Sequence, residues 1–252
     1  MFLKRLLLIV IAIVMTFAAT ACSRNVSKGN LDQNSEEELV LTIETVDISD
    51  IENGKTYQDI KYPVVEYKNN TAMQKSMNEL NIKAKKSAEE FKKENKRNVR
   101  DFIKEFNNED AMYTYDSSMT CTFHNDNYLS MLNNIYMFTM GAHGSEIDNG
   151  YTYYISTGKK LTLKDFIRDE EELKKFLKDW VKKQEEGMLF PDAESNIDMY
   201  FNGESELQFY LIDNELRVIF QQYDIAPYAV GIIEVTIDKS LLKVELNLYL
   251  IN

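Results

Sequence analysis

The sequence predicts an α+β fold of mainly antiparallel sheets, packed by a long helix in the N-terminal half and a second helical segment further on. Three observations carry this prediction. Runs of alternating apolar and β-branched residues come in neighbouring groups separated by short turn signals. Apolar residues recur at spacings near three and four from Met73 to Phe106, and a shorter stripe of the same kind includes Leu173, Phe176, Leu177, Trp180 and Val181. Strict alternation of strand and helix, the mark of a parallel doubly wound sheet, is absent.

Residues 1–21 carry a positive head, Lys4 and Arg5, and an uncharged apolar run over 6–19. That is the layout of an export signal, and the run is short of the roughly 20 apolar residues that span a bilayer. It ends in Ala18-Ala19-Thr20-Ala21 directly before Cys22. Residues 22–38 are polar, include Glu36-Glu37-Glu38 and offer little to bury, as a flexible tether does. Residues 39–45 and 56–67 read as two paired strands with Asn53-Gly54 as a turn signal. Pro63 places the second strand at an edge or at a bulge.

Asn70 or Thr71 is positioned to cap the long helix, whose stripe is Met73, Met77, Leu80, Ala84, Ala88, Phe91, Val99, Phe102 and Phe106. A break at Asn95 leaves a bend or two helices open. The lysines and arginines between Lys83 and Arg97 are interleaved with Glu89, Glu90 and Glu94, which reads as a solvated, salt-bridged face. Residues 111–123 and 128–140 form a hairpin through 124–127, and 151–156 a further strand closed by Thr157-Gly158-Lys159. Residues 163–167 and 170–186 are helical, with Asp169 capping the second piece and Gly187 ending it. Residues 206–213 and 215–221 bracket Asp213-Asn214 as another hairpin, 232–237 is a last strand, and 241–250 fits either a strand or a short helix. The expected division is a signal over 1–21, a tether over 22–38, an N-terminal α+β subdomain over 39–125 and a C-terminal one over 126–252.

Charge narrows the partners. The chain has 29 Lys and Arg against 41 Asp and Glu. Without residues 1–21 the cations fall to 27, for a net charge of −14. Such a surface repels nucleic acid and anionic lipid heads and favours basic proteins, cations or neutral glycans. If Cys22 carries lipid, Cys121 is the one cysteine left and has no intrachain disulfide partner. The fold would then rest on its apolar core.

Two segments combine turn residues, aromatics and ionisable groups, namely Thr139-Met140-Gly141-Ala142-His143-Gly144 and Tyr223-Asp224-Ile225-Ala226-Pro227-Tyr228-Ala229-Val230-Gly231. Together with Thr157-Gly158-Lys159-Lys160-Leu161-Thr162-Leu163, they resemble the C-terminal extracytoplasmic domain of the lysozyme-sensing anti-sigma-V factors of Gram-positive bacteria. Residues 39–125 resemble the companion domain that precedes it there, and that precedes the catalytic domain of a peptidoglycan deacetylase. The residues before Cys22 resemble a lipoprotein signal, with Ala19 where that family usually has leucine. Met140 stands where the sensor family usually has a second glycine.

The resemblance implies an extracytoplasmic module held at the outer face of the membrane by lipid on Cys22. A lipoprotein signal in place of a transmembrane helix argues against sigma-factor sequestration, and the lack of a metal-dependent domain argues against deacetylation. What it implies is a non-catalytic binding module for a basic extracellular protein such as lysozyme, with cell-wall glycan as the alternative ligand.

The candidate ligand-binding residues are His143, Gly144, Tyr223, Asp224 and Tyr228. Flanking glycines let the His143 ring project as a ligand or acid-base group, although a ring that ties down its own turn is the more common arrangement. The tyrosines fit an aromatic wall and equally fit packing beneath a sheet around Pro227. No cofactor or metal is expected, because zinc usually needs three or four ligands and the chain has two histidines. A wall hydrolase using His143 and Asp224 is the remaining, less favoured class.

Overall fold

A computed structural model describes residues 40–243. The chain begins with strands β1 (Leu41–Asp47), β2 (Asp50–Glu52) and β3 (Lys55–Tyr67), followed by helix α1 (Thr71–Phe106). Next come β4 (Tyr113–His124), β5 (Tyr128–Phe138), β6 (Ser145–Tyr154) and the short β7 (Lys159–Lys160). Four helices then follow in succession: α2 (Leu163–Phe166), α3 (Glu170–Val181), α4 (Ala193–Asn196) and α5 (Asp198–Phe201). Strands β8 (Gln208–Ile212), β9 (Glu215–Phe220) and β10 (Ile233–Thr236) follow, with short 3-10 turns at Tyr228–Val230 and Lys239–Leu241.

The first sheet has the order β1-β3-β4-β5-β6-β7, with β2 also paired to β3, and the second has the order β10-β9-β8. Every pairing is antiparallel except β3 with β4. A helical crossover is the reason for that exception, since α1 carries the chain back to the starting end of the sheet before β4 begins. The parallel ladder runs only from Gln58 to Lys61, so Pro63 lies beyond it and removes no donor from that pairing. Strands β4 and β5 form one hairpin, turning through residues 125–127.

Helix α1 is continuous over 36 residues, with no break at Asn95, whose side-chain amide donates to the Phe91 carbonyl at 3.1 Å. Asn70 caps its start by accepting from the Met73 N–H at 3.0 Å, and Asn107 ends it in the left-handed region. Met73, Met77, Leu80, Ala88 and Val99 are buried, whereas Phe106 at the last turn is 61% exposed. The charged face is only partly as expected. Lys85–Glu89 and Lys86–Glu90 are surface pairs, but Lys92 donates to the Ile48 carbonyl and Arg100 pairs with Glu52 at 2.7 Å. Those two cations fasten the helix to the β1–β2 connection and to β2 itself.

The second sheet packs on the face of the first that is opposite α1. Leu129 and Met131 point into the α1 core, and Ser130 between them accepts a hydrogen bond from the Leu211 N–H at 2.9 Å. Gly150 makes this approach possible, since a Cβ there would stand 1.6 Å from the Phe209 carbonyl oxygen. A core that includes Phe166, Leu173, Leu177, Ile197, Phe209 and Phe220 fills the space among the second sheet, the small helices and Phe123 and Tyr128 of the first. Helix α3 ends at Val181 rather than 186, and α4 and α5 occupy a stretch to which the sequence reading assigned no element.

Candidate binding site

The turn after β5 and the loop after β9 meet at the start of β6. Two neighbouring glutamines join them. The Gln221 side chain accepts from the Asp148 N–H at 2.9 Å and donates to the Asp148 carbonyl at 2.7 Å, reproducing a rung of sheet pairing. Gln222 accepts from the Glu146 N–H at 3.0 Å. Side-chain amides thus satisfy part of the β6 edge and fix the loop on it.

This junction brings three of the expected residues together. The His143 and Tyr228 rings stack with centroids 3.7 Å apart and planes 21° apart, and the Tyr223 ring lies 6.0 Å from that of Tyr228. His143 is exposed, Tyr228 is half-buried and Tyr223 is 56% exposed. The three rings thus form one group, with Tyr223 its most exposed tyrosine. His143 also ties its own turn, because Nδ1–H donates to the Gly144 carbonyl at 2.9 Å and leaves Nε2 as the remaining ring nitrogen. Gly144 is buried beneath Tyr136, whose ring would stand 2.3 Å from a Cβ at that position.

Backbone conformation around the rings is costly. Met140 has φ 60° and Tyr223 has φ 69°, in the left-handed region that bulky residues avoid. Met140 holds a conformation that glycine would adopt without this penalty. Strain of this kind persists where surrounding contacts enforce it, and here Met140 lies three residues before His143 while Tyr223 carries one of the rings.

Asp224 is placed differently. Its carboxylate accepts from the Tyr200 hydroxyl at 2.5 Å and from the Gln221 N–H at 2.6 Å, and its carbonyl accepts from the Asn196 amide at 3.0 Å. Burial, then the neighbouring Asp224 carboxylate, pushes the Tyr200 phenol above its ordinary range, so it remains the donor. Asp224 therefore anchors the loop from within. Gln221, Gln222, Tyr136 and Tyr200 were not singled out from sequence. The only trace of them there is a polar Gln-Gln pair interrupting an apolar strand end.

Among the described residues, no group of three or more His, Cys, Asp or Glu side chains is placed to hold a metal ion, and no helix is long and apolar enough to cross a membrane. Cys121, on β4, is disulfide-bonded, whereas lipid on Cys22 would leave it without an intrachain partner. Cys22, like the signal and tether over 1–38, lies outside the described residues.

Residues 51–146 match the family model described as deacetylase PdaC, and residues 164–240 match that of a protein of unknown function, DUF3298. Among solved structures, a member of the DUF3298 family from Bacteroides fragilis superposes with a TM-score of 0.54 at 17% identity, covering 81% of this chain and 94% of that one. A DUF3298 family protein from Pseudomonas aeruginosa gives a TM-score of 0.49 at 14% identity, covering 81% and 96%. At 17% identity the first likeness speaks to fold alone. No curated protein matches.

Proposed function

Taking the chain as a two-part domain of unknown function, PdaC-like over residues 51–146 and DUF3298-like over 164–240, we propose that it is a non-catalytic binding module of the cell envelope. Its ligand in this reading is a basic, wall-directed protein of the lysozyme type. The observation that carries the proposal is the exposed His143–Tyr228–Tyr223 group held on a braced, strained frame. Aromatic side chains that are rigid before binding lose little entropy on contact and are the usual anchors of protein interfaces. An acidic net charge of −14 after signal removal supports a basic partner, since it steers encounter at low salt. The resemblance to the non-catalytic domain of the deacetylase supports an envelope setting.

Titrating the soluble chain from Ser23 onward with a basic lysozyme tests this reading. Saturable binding that weakens with salt and is lost in Tyr228→Ala is the expected result, and no association at low ionic strength overturns it. A second reading has the exposed Tyr223 ring as a platform for wall glycan. Retention on insoluble wall that is lost in Tyr223→Ala, without lysozyme binding, would favour that reading.

Anchoring through Cys22 is part of the same proposal. Lipid on the Cys22 sulfur requires that the lipidated protein lack the Cys121 disulfide, because the chain has two cysteines. Mass spectrometry of the membrane-derived protein decides between lipid and disulfide, with a diacylglyceryl adduct on Cys22 expected and an unmodified Cys22 contradicting the anchor.

A further inference from the structure

At the far end of β6 from the aromatic group lies a cleft of about 370 Å³ between the first turns of α1 and the turn leading into β7. Its cations are Lys75, Lys83, Lys159 and Lys160, against one lining carboxylate, Glu79. In a chain with a net charge of −12 this is a local reversal of sign. Lys159 is paired with Asp165 at 3.0 Å and Lys160 stands 4.8 Å from the Tyr151 ring centroid. Lys75 and Lys83 make no ion pair among the described residues. Two unneutralised ammonium groups a little over two turns apart on one helix face repel each other, and an anion between them relieves that repulsion.

The walls are fixed before any ligand arrives. Gly158 packs so closely on α1 that a Cβ there would meet the Ala72 carbonyl oxygen at 2.4 Å. The Ser76 hydroxyl donates to the Gly158 carbonyl at 2.6 Å, and the Asn70 amide donates to the Ile155 carbonyl at 2.9 Å. Tyr151 and Tyr153 line the same cleft, and burial pushes both phenols above their ordinary range, so they stay neutral donors. No acidic residue occupies the first turn of α1, where one would otherwise compete for the positive end of the helix.

We propose that this cleft binds a phosphate ester, its phosphate held between Lys75, Lys83 and Lys160 and its organic part lying towards the tyrosines. Phosphate is preferred over carboxylate because the cations are all lysines. Their compact charges suit a doubly charged tetrahedral group, whereas planar carboxylates are matched by the arginine fork that this cleft lacks. The cleft exceeds what one phosphate fills and lies at the small end of ligand pockets, which run from about 300 Å³. That leaves room for a short polyol or sugar. The site is separate from the aromatic group and does not rest on the lysozyme reading.

The test is calorimetric titration of the soluble chain with glycerol 3-phosphate at low, fixed ionic strength. One-to-one saturable binding is expected, weakened about tenfold or more in Lys75→Gln/Lys83→Gln. The control Lys85→Gln/Lys86→Gln removes the same charge from the same helix outside the cleft and should change affinity less than about twofold. Absence of saturation, equal loss in both variants, or equal binding of glucuronate overturns the proposal. Capture through Lys75 and Lys83 of vesicles containing phosphatidic acid, whose headgroup is likewise a phosphate monoester, would assign the ester to a lipid headgroup. Binding of glycerol 3-phosphate without vesicle capture would assign it to a soluble or wall-borne ester, and either result supports the site.

Discussion

Replacing Gly150 by alanine should be among the most damaging single-methyl changes this chain can suffer. The added Cβ would stand 1.6 Å from the Phe209 carbonyl oxygen and 3.3 Å from its nitrogen, both backbone atoms of β8. No side chain can swing aside to relieve that contact, so β8 must move off β6. The movement also pulls on the Ser130–Leu211 bond of 2.9 Å, which is buried on both sides. Overpacking costs about 1–3 kcal/mol, and an orphaned buried donor about 1–3 kcal/mol more. The expected loss is thus roughly 2–6 kcal/mol, a large part of the 5–15 kcal/mol that holds a typical domain together. Urea unfolding followed by Trp180, the one tryptophan and a member of the core beside β8, reads this directly. Gly141→Ala is the control, because its nearest neighbour would be 3.8 Å away and its φ is not positive. A Gly150→Ala protein within about 0.5 kcal/mol of the parent would show that the two sheets do not meet as described.

Three further perturbations probe other parts of the molecule. Met140→Gly should stabilise the fold by about 1 kcal/mol, since glycine adopts φ 60° without the left-handed penalty, and an unchanged urea midpoint would refute the strain there. Gln58 is fully buried on β3 with neither side-chain amide atom hydrogen-bonded, so Gln58→Met should be neutral or stabilising by about 1 kcal/mol, and a loss of more than about 1 kcal/mol would show that the amide is satisfied. Burial raises the Asp148 carboxyl pKa, with the Asn134 amide bond at 2.8 Å opposing it. A group that binds its proton more tightly when folded costs stability once ionised, and that cost fades as pH falls from the raised folded value towards the unfolded one. Asp148→Asn should therefore raise stability at pH 7 and gain progressively less as the pH is lowered through that window, and a gain independent of pH would contradict it.

The elements most legible in the sequence were those whose causes are local. The cap at Asn70, the α1 stripe, the cap at Asp169 and the turns at Asn53-Gly54 and Asp213-Asn214 each follow from a few adjacent residues. Pairings set by distant segments were not legible. Nothing near β3 or β4 announces that they run parallel, and the contact of Gly150 with Phe209 joins residues whose relation only the folded chain supplies. Charge patterning misled for a related reason, because Lys92 and Arg100 share the composition of their solvated neighbours yet reach across to another element. Of the residues the sequence singles out, His143, Tyr223 and Tyr228 come together in the folded chain. Asp224 has the chemistry of a ligand contact, and only the positions of Tyr200 and Gln221 turn it inward.

The central claim is that His143, Tyr228 and Tyr223 form the contact surface of a binding module. The most direct measurement is the affinity of the soluble chain from Ser23 onward for a basic lysozyme, compared among the parent, Tyr228→Ala and Tyr223→Ala at matched low salt. Loss of at least about 2 kcal/mol in Tyr228→Ala, roughly 30-fold, with an unchanged unfolding midpoint is the result predicted. Equal affinity in all three proteins, or no binding by the parent, would contradict it.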